Sequence, residues 1–198
     1  MRILFQLLIT IYIVLTFQTV VFAQKRIVIS YDDVPYGDRA LYSGDERTTR
    51  FIQILNEVNS GPVLFFVTTR GIEKTATGDK RLHALSNAGH ILANHSHSHM
   101  WAHKTSAEDY LADIDLAEKH LSEFDNTRAW FRFPFLDEGR KPEHIAALAK
   151  GLEQCGLSNG YVIIDTYDWH METRLQEALE KGYAIDYKVY VVRNLGTI

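Results

Sequence analysis

The sequence predicts an α/β protein built around a parallel β-sheet. After the first 23 residues, five short runs rich in β-branched and aromatic residues alternate with segments whose apolar residues have helical spacing. Polar residues cluster directly after the apolar runs, where the carboxyl ends of parallel strands meet. Five strand-then-helix units favour either a doubly wound sheet or a partial β/α barrel.

The predicted strands and helices alternate regularly along the chain. The five predicted strands are RIVIS at 26–30, VLFFV at 63–67, HILAN at 90–94, AWFRF at 129–133 and YVIID at 161–165. The five predicted helices cover residues 46–58, 80–87, 106–124, 142–155 and 172–181. Ser106 with Asp109 is typical of a helix N-terminus, and Pro142 is typical of a first helical turn.

The first 23 residues have the layout of a secretory signal peptide. Arg2 precedes an apolar run, and residues 21–23 form a small-x-small cleavage site before Gln24. An uncleaved membrane anchor is the alternative, but polar residues within the run weaken it. We therefore expect residues 24–198 to form one exported domain, periplasmic or secreted, with no stable membrane span after cleavage.

Composition narrows the class of protein. A chain of 198 residues with 46% hydrophobic and 23% charged residues is typical of one globular domain. The net charge of -4 provides no basic surface for nucleic acid, so we expect no nucleic-acid partner. Cys155 is the single cysteine, which excludes an internal disulfide and a cysteine-based zinc site. We expect its side chain to be buried on a helix.

Three of the nine histidines lie between positions 95 and 99. On a helical turn His95 and His99 would lie on the same face, which is a common way to present two nitrogen ligands to a zinc-like ion. A His-rich polar loop is the alternative. Asp32 or Asp33, at the end of the first predicted strand, supplies a third ligand. Two histidines and one carboxylate leave coordination positions open, as in catalytic metal sites.

Four segments resemble motifs of the polysaccharide deacetylases, carbohydrate esterase family 4 with its NodB-homology domain. These segments are SYDDVPYG at 30–37, NHSHSH at 94–99, FRFP at 131–134 and DTYDW at 165–169. The resemblance covers residues 26 to about 170 and follows the family's order. It implies a distorted (β/α) barrel with fewer than eight strands and metal-dependent removal of acetyl groups from N-acetylated polysaccharides or oligosaccharides.

The resemblance also implies roles for individual residues. Asp33, His95 and His99 are the implied metal ligands. The implied catalytic residues are Asp32 as general base for the attacking water, Arg132 to orient Asp32, and Asp165. The implied substrate contacts are Pro134, Trp169 as a wall of the acetyl pocket, and Tyr36 as an aromatic candidate for stacking on a sugar. For Trp169 and Tyr36, ordinary packing is the alternative.

Two features depart from the family pattern. Val34 stands where the family usually has glycine after the aspartate pair. The family's fifth motif is an apolar strand ending in Leu-x-His, whose histidine protonates the leaving amine and which Asp165 is expected to polarise. His170 is the only histidine after Trp169, and it lacks that strand context. We therefore expect a barrel truncated at the C-terminus, either a shortened or frame-shifted product or a fragment completed by something else.

The sequence leaves several alternatives open. A non-catalytic relative that binds metal and glycan, or a hydrolase of small non-peptide C–N bonds, competes with the deacetylase. The implied metal is most simply Zn²⁺, but Co²⁺, Ni²⁺ and Mn²⁺ suit the same ligands. The glycan is chitin-like, peptidoglycan, exopolysaccharide or acetylated xylan, and the oligomeric state is open.

Overall fold

A computed structural model describes residues 27–186, and the predicted signal peptide lies outside the described residues. Its sheet contains five parallel strands: β1 (Ser30–Val34), β2 (Leu64–Val67), β3 (Ile91–Asn94), β4 (Thr127–Phe131) and β5 (Ser158–Asn159). Its helices are α1 (Gly44–Glu57), α2 (Arg70–Lys74), α3 (Gly78–Asn87), α4 (Ala107–Leu121), α5 (Pro142–Gln154) and α6 (Asp168–Glu180). Short 3-10 turns occupy Ala102–Lys104 and Pro134–Leu136.

The strands lie side by side in the order of the sequence, β1-β2-β3-β4-β5. A doubly wound sheet reverses its strand order at a switch point, so the uninterrupted order selects the partial barrel over that alternative. This architecture confirms the predicted α/β fold of alternating strands and helices. None of the helices between residues 27 and 186 combines the length and hydropathy of a membrane span.

Alternation along β2 separates the two faces of the sheet. Phe65 and Val67 pack into the larger core cluster with residues of α1 and α3, including Leu55 and Leu82. Phe66 points to the opposite face and is completely buried there. Successive side chains of a strand point to opposite sides, so one strand supplies both the core under the helices and the inner surface near the site.

The prediction of a fifth strand at 161–165 is wrong. The fifth strand is Ser158–Asn159, which pairs with Trp130 and Phe131 of β4. Beyond it, Gly160 packs so tightly that an added Cβ would lie 2.6 Å from the Phe66 ring. The chain then leaves the sheet, and Ile163 is 97% exposed. The β-propensity of residues 161–165 therefore did not decide their structure, because the chain leaves the sheet after Gly160.

Cys155 also differs from its prediction. It lies at the C-terminal cap of α5 and is exposed, because the buried face of that helix passes through Leu148, Gly151 and Leu152 instead.

Candidate metal centre

A bulge in β1 brings two consecutive aspartates to the same site. Between the pairs Tyr31–Phe65 and Val34–Val67, β1 has two residues and β2 has one. Successive residues of a regular strand point to opposite faces, but a bulge redirects one of them. Asp33 has a positive φ of 65° at this bulge. As a result both Asp32 and Asp33 approach the histidines that follow β3.

The histidine loop after β3 is held by polar side chains. The Asn94 side chain accepts a hydrogen bond from the Ser96 backbone N–H, at 2.7 Å. Asp113 of α4 accepts hydrogen bonds from the backbone N–H groups of His97 and Ser98, at 3.0 and 2.9 Å. Ser96 Oγ accepts one from the His99 N–H, at 3.0 Å. These contacts fix the loop that presents both predicted ligands.

Asp33, His95 and His99 converge. Their ligand atoms lie within 4.8 Å of one another. Asp33 Oδ1 is 2.9 Å from His99 Nε2 and 3.6 Å from His95 Nε2. The His95 Nδ1 is 2.8 Å from the Arg132 carbonyl oxygen, which can only accept, so Nδ1 carries the hydrogen and Nε2 faces the carboxylate with its lone pair. This donor set, with one carboxylate and two imidazoles, fits a divalent cation of the zinc class.

The protonation of the cluster suits metal binding. Burial lowers the pKa of His95 despite the nearby charges of Asp32 and Asp33, which favours the neutral imidazole. Partial burial acts to raise the pKa of Asp33, but the side-chain hydrogen bond with His99 and the attraction of the two imidazoles in their protonated forms outweigh it and lower that pKa. A neutral imidazole and an ionised carboxylate are the forms that bind metal.

Arg132 connects Asp32 to the inner surface of the sheet. Its guanidinium contacts Asp32 Oδ1 at 2.6 Å and Ser30 Oγ at 2.8 Å, and its Nε donates to the Gly160 carbonyl at 2.8 Å. The same group lies 3.9 Å above the Phe66 ring. Arg132 is only 6% exposed, so it is an interior arginine. Asp32 Oδ2 remains on the side of His95, 3.9 Å from Nε2.

An aromatic pair borders the cluster. The rings of Trp101 and Phe135 stack with centroids 3.8 Å apart, and the Phe135 ring lies 4.5 Å from that of His99. Both aromatic side chains are partly exposed, at 37% and 47%. Pro134 is buried and begins the 3-10 turn that carries Phe135. Phe135 was not among the predicted site residues, although it follows the predicted Pro134 directly.

Comparison with known proteins agrees with this geometry. The family profile described as "Polysaccharide deacetylase" matches residues 20–157, which is more than half of the chain. The chain belongs to the polysaccharide deacetylase family. The comparison with curated proteins gives no significant match.

Solved structures of this family have the same fold. A mutant of a CE4 family pseudoenzyme with restored enzymatic activity has a TM-score of 0.61 at 18% identity, with 80% of this chain and 53% of that one covered. The wild-type pseudoenzyme comes from Bacillus anthracis. The chitin deacetylase of Colletotrichum lindemuthianum has a TM-score of 0.58 at 16% identity, with coverage of 86% and 80%. The peptidoglycan deacetylase PdaC of Bacillus subtilis has a TM-score of 0.56 at 21% identity, with coverage of 83% and 72%. The chain thus spans about half of the length of the pseudoenzyme.

The DTYDW motif of this deacetylase-family chain lies at the start of α6. Asp165 accepts a hydrogen bond from the Tyr167 N–H, at 3.0 Å. Trp169 is 60% exposed and contacts Tyr167 and His170. The neighbouring Asp168, which sequence reasoning did not select, interacts electrostatically with Asp32. Burial and the charges of Asp165 and Asp32 raise the pKa of Asp168 despite backbone hydrogen bonds.

Tyr36 and Val34 lie beside the aspartate pair. Burial and the negative charges of Asp168, Asp33 and Asp32 raise the pKa of Tyr36, which places its hydroxyl in the field of the carboxylates. Arg47 lies 4.8 Å above the Tyr36 ring. Val34, the departure from the family's glycine, is 1% exposed and belongs to the core cluster. The substitution therefore adds to the packing under the site.

Proposed function

We propose that this chain is a metal-dependent hydrolase that removes acetyl groups from an N-acetylated polysaccharide or oligosaccharide. The convergence of Asp33, His95 and His99 next to an arginine-held Asp32 is the observation that carries the proposal. Membership of the polysaccharide deacetylase family supports the reaction class. Zn²⁺ is the first choice of cation, with Co²⁺, Ni²⁺ or Mn²⁺ as substitutes.

In this proposal Asp33, His95 and His99 hold the cation. When bound, the cation supplies Lewis-acid polarisation of the acetyl carbonyl and lowers the pKa of water. Asp32 accepts the proton of the attacking water on Oδ2, because Arg132 occupies Oδ1. Arg132 acts as a positioning residue, since its further contacts with Ser30 of the same strand as Asp32 and with the Gly160 carbonyl just after β5 fix the guanidinium that holds Asp32.

The glycan is proposed to lie against the Trp101–Phe135 pair. A flat, partly exposed aromatic surface 4.5 Å from a metal-ligand imidazole is suited to the apolar face of a sugar ring. Pro134, which precedes Phe135 in the 3-10 turn, Tyr36 and Trp169 are further candidates for substrate contact. Chitin-like oligomers, peptidoglycan, exopolysaccharide and acetylated xylan are the candidate polymers.

We further propose that the protein is exported. The leader-like first 23 residues support this, with residues 24–198 forming the mature domain in the periplasm or outside the cell. The mass of the protein recovered from those compartments tests it. A product that begins at Gln24 supports export, and a product that keeps Met1 in the cytoplasm contradicts it.

The test of the activity is acetate release from N-acetylglucosamine oligomers. We expect a chelator to abolish release and Zn²⁺ to restore it. Asp32→Asn should reduce release at least about 100-fold, because it removes the base but not a metal ligand. Its zinc content, measured by elemental analysis, should stay at the wild-type level.

The matched control is Asp125→Asn, which changes an exposed carboxylate in the turn before β4 and should leave release unchanged. Release that survives both the chelator and Asp32→Asn contradicts the proposed mechanism.

The same assay tests the alternative function, which is that of a relative that binds metal and glycan without turnover. The similarity in fold to a pseudoenzyme keeps that candidate open. Zinc and oligomer binding without acetate release would favour it.

A further inference from the structure

A second cluster of metal-binding side chains lies on the other side of the histidine loop. Glu73, His97 and His120 place one ligand atom each within 4.8 Å of one another. They come from three elements, namely α2, the loop after β3 and α4. His97 is the middle histidine of the NHSHSH segment, and its neighbours His95 and His99 face the first cluster.

The His97 ring is fixed with one nitrogen available. His97 Nδ1 is 2.9 Å from Oγ1 of the buried Thr69. The His97 backbone is held too, since its N–H donates to Asp113 and its carbonyl accepts from the Arg70 N–H. Contact of Nδ1 with a hydroxyl leaves Nε2 as the ligand atom, which is how metal-binding histidines are usually oriented.

The other two side chains approach from solvent. The His120 ring stacks on that of His97, with centroids 5.5 Å apart and planes 12° apart. Its Nε2 is 3.5 Å from Glu73 Oε1, and the side chains of His120 and Glu73 are 28% and 57% exposed. Ligand atoms of tetrahedral Zn²⁺ are about 3.4 Å apart, given bonds of about 2.0–2.1 Å. Because all three ligand atoms already lie within 4.8 Å of one another, each distance needs to shorten by at most about 1.4 Å, and the exposure of the two helix side chains permits it.

We propose that Glu73, His97 and His120 form a second binding site for a divalent cation of the zinc class. The proposal of this second site does not rest on the proposed deacetylase activity. A cation there links α2 and α4 to the loop that presents His95 and His99, and so acts as a structural clamp. The ordinary alternative is a stacked histidine pair with a surface ion pair.

The experiment isolates this site in a chain whose first cluster is disabled. Asp33→Asn/His99→Asn is the background, because asparagine adopts positive φ at both positions and is a poor zinc ligand. After chelator treatment and desalting, equilibrium dialysis against Zn²⁺ with elemental analysis measures bound metal. We expect roughly one equivalent to remain and Zn²⁺ to raise the midpoint of thermal unfolding.

Adding His120→Ala to this background should weaken zinc binding at least about tenfold and remove the thermal shift. Glu73→Gln repeats the test with an exposed side chain that the fold does not need. His83→Ala, which removes another helix-surface histidine 3.7 Å from a carboxylate, is the matched control and should bind zinc like the background. A background chain that binds no Zn²⁺, or equal binding with and without both Glu73 and His120, overturns the proposal.

Discussion

Arg132 is the residue at which fold and proposed chemistry are hardest to separate. It contacts Asp32, Ser30, Gly160 and the Phe66 ring, and thus joins β1, β2, β4 and the end of β5. A planar guanidinium can make these contacts together because its donors point in fixed directions. Lysine provides one ammonium group and cannot reproduce them.

Arg132→Lys should therefore lower acetate release about 10- to 100-fold while zinc content stays unchanged, because Asp32 loses its fixed orientation. The free energy of unfolding should fall by about 1–3 kcal/mol, since the buried contacts to Asp32 and Gly160 are lost. Acetate assays, elemental analysis and urea unfolding measure the three quantities. Arg128→Lys, at an exposed position in β4, the strand that Arg132 follows, is the control. Unchanged release by Arg132→Lys contradicts the positioning role.

The histidine spacing shows what residue-level reasoning could predict. The i, i+4 separation of His95 and His99 correctly indicated that both side chains converge, but the segment is a loop and not a helical turn. Ser96 and His99 have positive φ values of 66° and 57°, which no helix would contain. The Asn94 and Asp113 side chains hold these conformations, and Asp113 is distant in sequence. Spacing alone could not show such a contact.

At the scale of elements, helices were easier to predict than strand ends. The periodicity of α1 and the proline at the start of α5 are local signals. The bulge at Asp32–Asp33 and the departure of the chain from the sheet after Gly160 depend on neighbouring strands. A strand's neighbours are not encoded in its own residues, which is why YVIID was assigned to the sheet.

The start of α1 provides a prediction at this scale. Ser43 caps the helix by accepting from the Glu46 N–H, and the Glu46 carboxylate accepts from the Ser43 N–H at 2.9 Å. The Ser43 N–H and the Ser43 hydroxyl, which also donates to this carboxylate at 2.9 Å, lower the pKa of Glu46. Ser43→Ala should decrease the free energy of unfolding by about 1 kcal/mol, because it leaves a helix N–H without its acceptor. Urea unfolding measures the loss, with Ser60→Ala as the control for removal of a loop hydroxyl. A decrease no larger than that of Ser60→Ala contradicts the capping role.

The whole molecule assembles its candidate centre from strand ends that are far apart in sequence. Asp33 lies in the bulge near the end of β1, His95 and His99 follow β3, and Arg132 follows β4. The sequence predicted this gathering because parallel strands end at the same edge of a sheet. It could not predict the second cluster, because Glu73 and His120 lie on helices and carry no strand-end signal.

Stability of the whole molecule should depend on pH through one buried and one partly buried group outside both clusters. His90 is 3% exposed, and its Nδ1 accepts a hydrogen bond from the Val63 N–H at 3.4 Å. Burial lowers its pKa. At Asp137, burial acts to raise the pKa, but hydrogen bonds from His103 and Gly139 outweigh it and lower the pKa. Both shifts make the folded chain bind fewer protons than the unfolded chain, so stability falls with decreasing pH.

The two groups act in different pH ranges. The contribution of His90 is complete above its unfolded pKa of about 6.5 and is lost as the pH falls below it. That of Asp137 is complete above about 3.9 and is lost as the pH falls through its lower folded value. One proton changes the free energy of unfolding by at most about 1.4 kcal/mol per pH unit.

His90→Gln keeps an acceptor for the Val63 N–H and should flatten the decline in the free energy of unfolding between about pH 7 and pH 5. Urea unfolding in the presence of a chelator measures this decline. Asn87→Gln, at an exposed position at the end of α3, removes no titrating group and should not change that slope. An undiminished slope in His90→Gln would show that other groups carry the pH dependence.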